Sequence, residues 1–418
     1  MKNERSKNFL KTLGPGILFA STAIGVSHLV QSTRAGANFG FALVPFILAA
    51  NIFKYPFFEF GSRYANATGE SLIDGYKRIG NWMLWLYFLI TIGSMFFVCA
   101  AVGSVTSGFL QGLFGVTDWG MAATFALFTI CAGILLLGKY KVLDSLVKII
   151  GFVLLLSVLL AFVLALFQGP NAHTVDFKAP DLWAESSVLF IIALMGWMPT
   201  AVDLSAWNSL WTIERIKQTG YKPTMRETLA DFNFGYIISA VLSVCFVTLG
   251  AYIIFGTDSE IPDGAGSFAI SVIGMFTAFI GDWSYIIIAA AAFSIMFGTC
   301  IAVLDGYSRS IERSTALFLS RENEKSSVGI YNVSLSVIAI GSFSLVFFFG
   351  EHMKSLIDLA MTISFLIAPV IAVVNLRLVT GKYIDEEHKP KMWLKVLSWM
   401  GILFLTGFAL YFAWITFF

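Results

Sequence analysis

Eleven stretches of this chain are too long and too apolar for the interior of a water-soluble domain. They lie near residues 12–34, 40–65, 82–112, 119–138, 143–168, 185–206, 229–255, 268–304, 330–350, 355–376 and 393–417. A bilayer core about 30 Å thick takes roughly 20 apolar residues in helical form, because hydrocarbon offers the backbone no water to bond. Charged residues make up 13% and hydrophobic ones 57% of the chain, against about 25% charged in an ordinary soluble domain. The expected fold class is an all-α membrane protein with eleven transmembrane helices, the third and eighth stretches being long enough to tilt or to run past the bilayer. The lipid bilayer is then a partner. The net charge of +1 and the lack of a basic stripe speak against nucleic acid. Cys99, Cys131, Cys245 and Cys300 all fall in apolar stretches without a C-x-x-C spacing, so they read as small buried hydrophobes. No cofactor is expected.

Orientation follows from the loops. One set of connections carries Lys2, Arg5, Lys7 and Lys11; Arg63, Lys77 and Arg78; Lys139 and Lys141; Arg215, Lys217, Lys222 and Arg226; Arg309, Arg313, Arg321 and Lys325; and Arg377, Lys382, Lys389 and Lys391. The alternate connections are poor in them, and Gly256–Gly266 instead holds Asp258, Glu260 and Asp263. Lys and Arg collect on the cytoplasmic side. This places the N-terminus inside, residues 1–11 as a cytoplasmic tail before a retained span, and the C-terminus outside. The compact loops suggest the plasma (inner) membrane of a bacterium.

Two spans are interrupted. The first carries Gly14-Pro15-Gly16 at its start and Gly25-Val26-Ser27-His28 at its centre; the sixth reads ALMGWMPTAVD, with Gly196 and Pro199 at its centre. Proline removes a helical hydrogen bond and glycine lowers helix preference. Unpaired backbone at bilayer depth persists only where it lines a cavity or is buried in protein. Breaks in spans one and six suggest two five-helix units, 12–168 and 185–376, related as an inverted repeat with a substrate site between the breaks, and 393–418 as an additional eleventh helix.

The segment GPGILFASTAIGVSHLVQSTRAGANFGFALVPFILAAN, residues 14 to 51, and Met198-Pro199 in the sixth span resemble the natural resistance-associated macrophage protein (Nramp) family of divalent-metal transporters. The resemblance covers most of the chain, including the eleven-span count. It implies a LeuT-like fold and secondary transport, usually of manganese or iron with protons. The family's metal-binding Asp-Pro-Gly-Asn falls on Gly25, Val26, Ser27 and His28, so Gly25 stands where the Asp would be and His28 where the Asn would be. Its Met-Pro-His falls on Met198, Pro199 and Thr200, and the ligating carbonyl would be that of Met195. The acidic proton route of the third span has no counterpart in LYFLITIGSMFFVCAAVGSV. A site of His28, Met198 and carbonyls has no formal negative charge and suits a soft or borderline ion better than magnesium.

Ionisable residues at bilayer depth are functional candidates. Asp203 follows Met198 by five residues, about 7.5 Å along the axis if helical. It could carry a coupling proton, supply the missing anion, or sit as a carboxylate at a half-helix N-terminus. Lys54 could be a fixed cation that replaces an ion site, the partner of Asp203, or the local partner of Glu59. Glu59 and Arg63, four apart, read as a pair near the cytoplasmic end. His28 can bind a metal when neutral or carry a proton, or simply pack. Trp197, Trp207 and Trp211 could line an aromatic cavity, and Thr299 and Thr362 could face the same centre. The expected substrate-binding set is Gly25, His28, Met195, Met198, Thr200 and Thr362, with His28 and Met198 as metal ligands and Asp203, Lys54 and Glu59 as coupling or charge-compensating groups. Three readings stay open: a metal-cation transporter, a transporter of another small solute, and a non-transporting membrane sensor. No H-E-x-x-H or G-x-S-x-G motif points to an enzyme.

Overall fold

Helices are forced on this chain by its solvent, and the departures from regular helix mark where protein rather than lipid surrounds the backbone. The structure, a computed structural model, describes residues 14–138, 140–174, 177–319, 328–350 and 352–417, with 140–152 and 154 described by their backbone alone. The expected tail 1–11 and the basic residues Lys139, Arg321 and Lys325 lie outside the described residues.

The first span consists of α1 (Pro15–Ala23), a π-helical turn (Ser27–Ser32) and α2 (Thr33–Phe39). The second is α3 (Val44–Thr68). A short helix, α4 (Leu72–Ile79), follows, opened by a capping box in which Ser71 and Asp74 bond each other's backbone. Then come α5 (Asn81–Phe114), α6 (Gly120–Leu136) and α7 (Tyr140–Gln168), the third to fifth spans. The sixth is split into α8 (Glu185–Gly196) and α9 (Ser205–Thr219). The remaining helices are α10 (Met225–Ile253), α11 (Ala265–Ile280), α12 (Tyr285–Phe318), α13 (Val328–Phe349), α14 (Met353–Thr380) and α15 (Met392–Phe417). Among the described residues there is no strand.

The eighth stretch, expected as one span over 268–304, is two helices. Gly281, at φ +114°, ends α11 after 16 residues, and the spanning helix is α12, 34 residues long. Both flanks of the turn are apolar, so hydropathy alone runs straight through it. α11 lies on α5: a Cβ at Gly108 would meet the Ala265 carbonyl oxygen at 2.1 Å. With α4 and α11 set aside, the described helices fall into the eleven expected stretches, and seven of these helices are long and apolar enough to cross a membrane.

Close backbone contact places the first span. Both of its halves lie along α10, held by two glycine pairs. A Cβ at Gly16 would sit 2.0 Å from the Asp231 carbonyl oxygen, and one at Gly235 would sit 2.0 Å from that of Gly16. On α2, a Cβ at Gly36 would meet the Val247 oxygen at 2.0 Å, and one at Gly250 the Thr33 oxygen at 2.2 Å. Lipid supplies no hydrophobic drive between helices, so small residues that let backbones touch replace it. The free N–H groups that open α1 are taken by α10: Gly16 N donates to Asp231 Oδ2 at 2.7 Å and Gly14 N to Oδ1 at 3.3 Å. A carboxylate at a helix N-terminus also meets the positive end of its dipole. The four cysteines are free and buried, as their sequence setting predicts.

Candidate functional site

The two interruptions face each other. α1 ends at Ala23, and Ile24 and Gly25 leave the helix before the π turn begins. α8 ends at Gly196, and the chain regains helical form only at the 3-10 turn Val202–Leu204 and α9. Side chains of the first break satisfy backbone freed by both. Ser27 Oγ lies 2.5 Å from the Ala23 carbonyl oxygen and 3.2 Å from that of Pro199, so one hydroxyl reaches from the first break to the sixth. Ser32 Oγ sits 3.2 Å from the Ser27 carbonyl oxygen and 3.9 Å from Met198 Sδ.

His28 is fully buried. Its Nε2 lies 2.8 Å from the Ser239 carbonyl oxygen on α10. A carbonyl only accepts, so Nε2 carries a proton there. Nδ1 faces Ser27 Oγ at 2.8 Å. Both ring nitrogens are therefore engaged by protein partners in this conformation. Gly25 is crowded: a Cβ would stand 3.0 Å from Thr299 Cγ2 and 3.2 Å from Thr299 Oγ1. Thr299 in turn donates toward the Ser21 carbonyl at 3.1 Å, so the eighth span does reach the first break.

Lys54, on α3, takes the end of α8. Its Nζ donates to the carbonyls of Met195 (3.0 Å), Gly196 (2.9 Å) and Thr200 (2.8 Å), and the side chain is fully buried. An ammonium has three donors, and each finds a carbonyl. Met195 and Gly196 belong to the last turn of α8, whose carbonyls have no helical partner and form the negative end of the dipole. Seven residues along α3, on the same face, Gly61 packs against the start of α9: a Cβ there would lie 2.4 Å from the Ser205 carbonyl oxygen. α3 thus straddles the sixth break, with lysine against one half-helix and glycine against the other.

The local alternatives for Lys54 are corrected by this geometry. Glu59 pairs with Arg63, whose Nη2 is 2.5 Å from Oε1 and whose Nε is 2.9 Å from Oε2. Arg63 also donates to the His388 carbonyl at 2.7 Å. Nor does Asp203 form an ion pair with Lys54 among the described residues, although the two lie within electrostatic reach. Asp203 sits in the 3-10 turn ahead of α9, and not five helical residues along an axis from Met198, because residues 197–201 are not helical. It is buried, and among the described residues its Oδ1 has no hydrogen-bond partner.

Thr362 is half-buried and forms no side-chain hydrogen bond among the described residues, whereas Ser364, two residues on, accepts from Trp197 Nε1 at 2.8 Å. α14 also meets the sixth break at Met361, whose carbonyl oxygen would lie 2.1 Å from a Cβ at Gly196. Trp197 and Trp207 are buried in protein. Trp207 is buried over Gly306 and stands edge-on to Tyr307 at 4.7 Å. Ser27, Ser32, Ser239 and Ser364 escaped sequence reasoning, since serine in a membrane helix usually bonds its own turn.

At the far end of the first span, Arg34 Nη1 and Nη2 bond Asp358 Oδ1 and Oδ2 of α14 at 2.7 and 2.9 Å, and Gln31 bonds both partners at 2.7 Å. The guanidinium lies 4.9 Å from the ring centre of Phe190. Among the described residues no group of three His, Cys, Asp or Glu side chains comes together to hold a metal ion.

Comparisons with known proteins agree with this architecture. The family model "Natural resistance-associated macrophage protein-like" matches residues 16–415. An uncharacterized protein of Pasteurella multocida is 37% identical over 402 residues, covering 96% of this chain and 91% of its own length. A protein of Lacticaseibacillus casei named a divalent metal cation transporter is 24% identical, covering 95% and 89%. Among solved structures, a manganese transporter of Eremococcus coleocola superposes with TM-score 0.72 at 15% identity over 97% of this chain and 86% of that one. MhsT, solved with L-phenylalanine, gives 0.60 at 13% identity, covering 94% and 98%. The structural likenesses show the fold, a LeuT-like arrangement with helices one and six broken. The chain belongs to the Nramp family.

Proposed function

We propose that this chain is a secondary active membrane transporter that takes its substrate between the two breaks. The observation that carries the reading is the junction at Ser27 and Ser32, which ties the first break to Pro199 and Met198 of the sixth. Broken helices meeting inside a membrane bundle bring free backbone groups and half-helix ends to one point, which is how transporters of this architecture bind small ions and solutes. The five-helix units 12–168 and 185–376 would rock about that point, with 393–418 outside the repeat. The names of the relatives support a metal cation as substrate. The proposed binding set is Gly25, His28, Met195, Met198, Thr200 and Thr362, with Asp203, Lys54 and Glu59 setting the charge and protons as the coupling ion. For His28 to serve as a ligand, the imidazole must leave Ser239 or Ser27. The loop charges support a cytoplasmic N-terminus, an external C-terminus and a plasma-membrane location.

A second reading, transport of a small solute other than a metal, is favoured by Lys54, which already holds the Met195 carbonyl. Manganese uptake into proteoliposomes, with and without a pH gradient, separates the two. Uptake by the wild type that is lost in His28→Ala and Met198→Ala establishes the metal reading. Folded wild-type protein that moves no manganese overturns it in favour of the second.

A further inference from the structure

Among the described residues, Lys54 is a buried cation whose hydrogen bonds all go to backbone carbonyls. Arg34, Glu59, Arg63 and Asp74 each have an opposite charge within bonding distance. Asp231 has two backbone N–H groups. Lys54 has three carbonyls at 2.8–3.0 Å, drawn from the last turn of α8 and the unwound stretch after it and converging on one point. Converging carbonyls at the C-terminal end of a half-helix are the ligand set of a small monovalent cation in broken-helix transporters. They show no shape specific to lysine. Asp203 has a buried oxygen with no hydrogen-bond partner among the described residues and lies within electrostatic reach of the ammonium, out of contact with it.

We propose that Lys54 is a tethered cation: its ammonium permanently fills a carbonyl cage of Met195, Gly196 and Thr200 that would otherwise take a free monovalent cation. The inference deepens the transporter reading and rests on it for the statement that this cage belongs to the substrate site. Two consequences follow. The end of α8 needs no dissolved ion to hold its unwound geometry. Any transported metal binds beside the cage and not in it, so under this inference the Met195 carbonyl drops out of the proposed binding set, because it is already committed to a cation.

Removing the lysine head while keeping its bulk, in Lys54→Met, empties the cage and leaves Asp203 as an uncompensated buried anion. That combination draws in a cation. The test is thermal unfolding of the purified full-length protein in detergent, in sodium, methylammonium or choline chloride at equal ionic strength. The proposal expects Lys54→Met to melt about 2–4 °C higher in sodium or methylammonium than in choline. The wild type should show no difference, and Lys54→Met/Asp203→Asn, with both charges gone, should lose the response. The proposal is overturned if Lys54→Met is as indifferent to the cation as the wild type, or if the double variant keeps the response. Should Lys54→Met yield no folded protein in any salt, Lys54→Arg and the double variant decide. Folding of both shows that charge balance is what the lysine supplies. Folding of Lys54→Arg without the double variant shows that the carbonyls need a cation, as the tether requires, and folding of the double variant without Lys54→Arg shows that they need none and refutes it. Manganese uptake by the wild type is read separately. A failed uptake with an intact cation response removes only the metal substrate, and an absent cation response with intact uptake removes only the tether.

Discussion

Gly16→Ala tests whether the inner half of the first span is held by backbone contact. The added Cβ would lie 2.0 Å from the Asp231 carbonyl oxygen and 2.5 Å from its carbon. Neither atom belongs to a flexible side chain, so the helices themselves must part, from 2.0 Å to at least 3.4 Å, a shift of 1.4 Å. The hydrogen bond from Gly16 N to Asp231 Oδ2, now 2.7 Å, would stretch out of range. Overpacking costs about 1–3 kcal/mol and a lost hydrogen bond to a charged group about 1.5–3 kcal/mol, together about 2.5–6 kcal/mol if α1 stays docked. That is enough to undock α1 instead. The expected result is a lower unfolding midpoint, together with faster labelling of a cysteine placed at Thr212, which lines a small pocket beside Pro15 and Asp231. The native cysteines are buried and give little background. Gly93→Ala is the control: nothing lies within 4 Å of its Cβ, and alanine is preferred to glycine in a helix by about 1 kcal/mol. If Gly16→Ala melts and labels as Gly93→Ala does, the glycine contact does not hold the inner half closed.

Gly25→Ala should destabilise by about 1–2 kcal/mol through Thr299, and Thr299→Ser, which removes the methyl at 3.0 Å and keeps the hydroxyl, should recover at least half of it in a double-mutant cycle. Additive effects would show that the two do not touch. Arg34→Lys should loosen the outer end of the first span, because lysine cannot reproduce the two parallel bonds to Asp358; faster hydrogen exchange at residues 33–39 reports it, and unchanged exchange counts against a bidentate clamp. Glu59→Gln leaves Arg63 buried without its carboxylate and should cost about 3–5 kcal/mol in unfolding free energy. A loss under about 1 kcal/mol would place that pair in the solvent-exposed class.

How much of the site was legible depended on whether the signal was local. The breaks were legible because glycine and proline act on their own backbone, and α1 and α8 end where Gly25 and Gly196 predict. Glu59 and Arg63 were legible because four residues on a helix bring two side chains to one face. Lys54 was legible only as a problem. An ammonium in a membrane helix must find partners, but Glu59, Asp203 and an ion site were all open to it. Which one it takes depends on the crossing of α3 over a break 141 residues away along the chain. His28 is similar: its place at the break was readable, and the partner of its Nε2, a carbonyl on α10, was not.

Sequence alone determined the solvent, the helical class, the two interruptions and the family. Each follows from a property summed over neighbours or confined to one residue: apolar length, missing amide hydrogens and motif spacing. Tertiary structure decided that the eighth apolar stretch turns at Gly281, that Ser364 rather than Thr362 bonds Trp197 at the sixth break, and that the carbonyls of Met195, Gly196 and Thr200 close on Lys54. The physical reason is common to all three. A buried polar group must be paired, which sequence can state, but its partner is whichever group the helix packing brings within 3 Å, and that packing is set by glycine contacts between spans far apart in the chain.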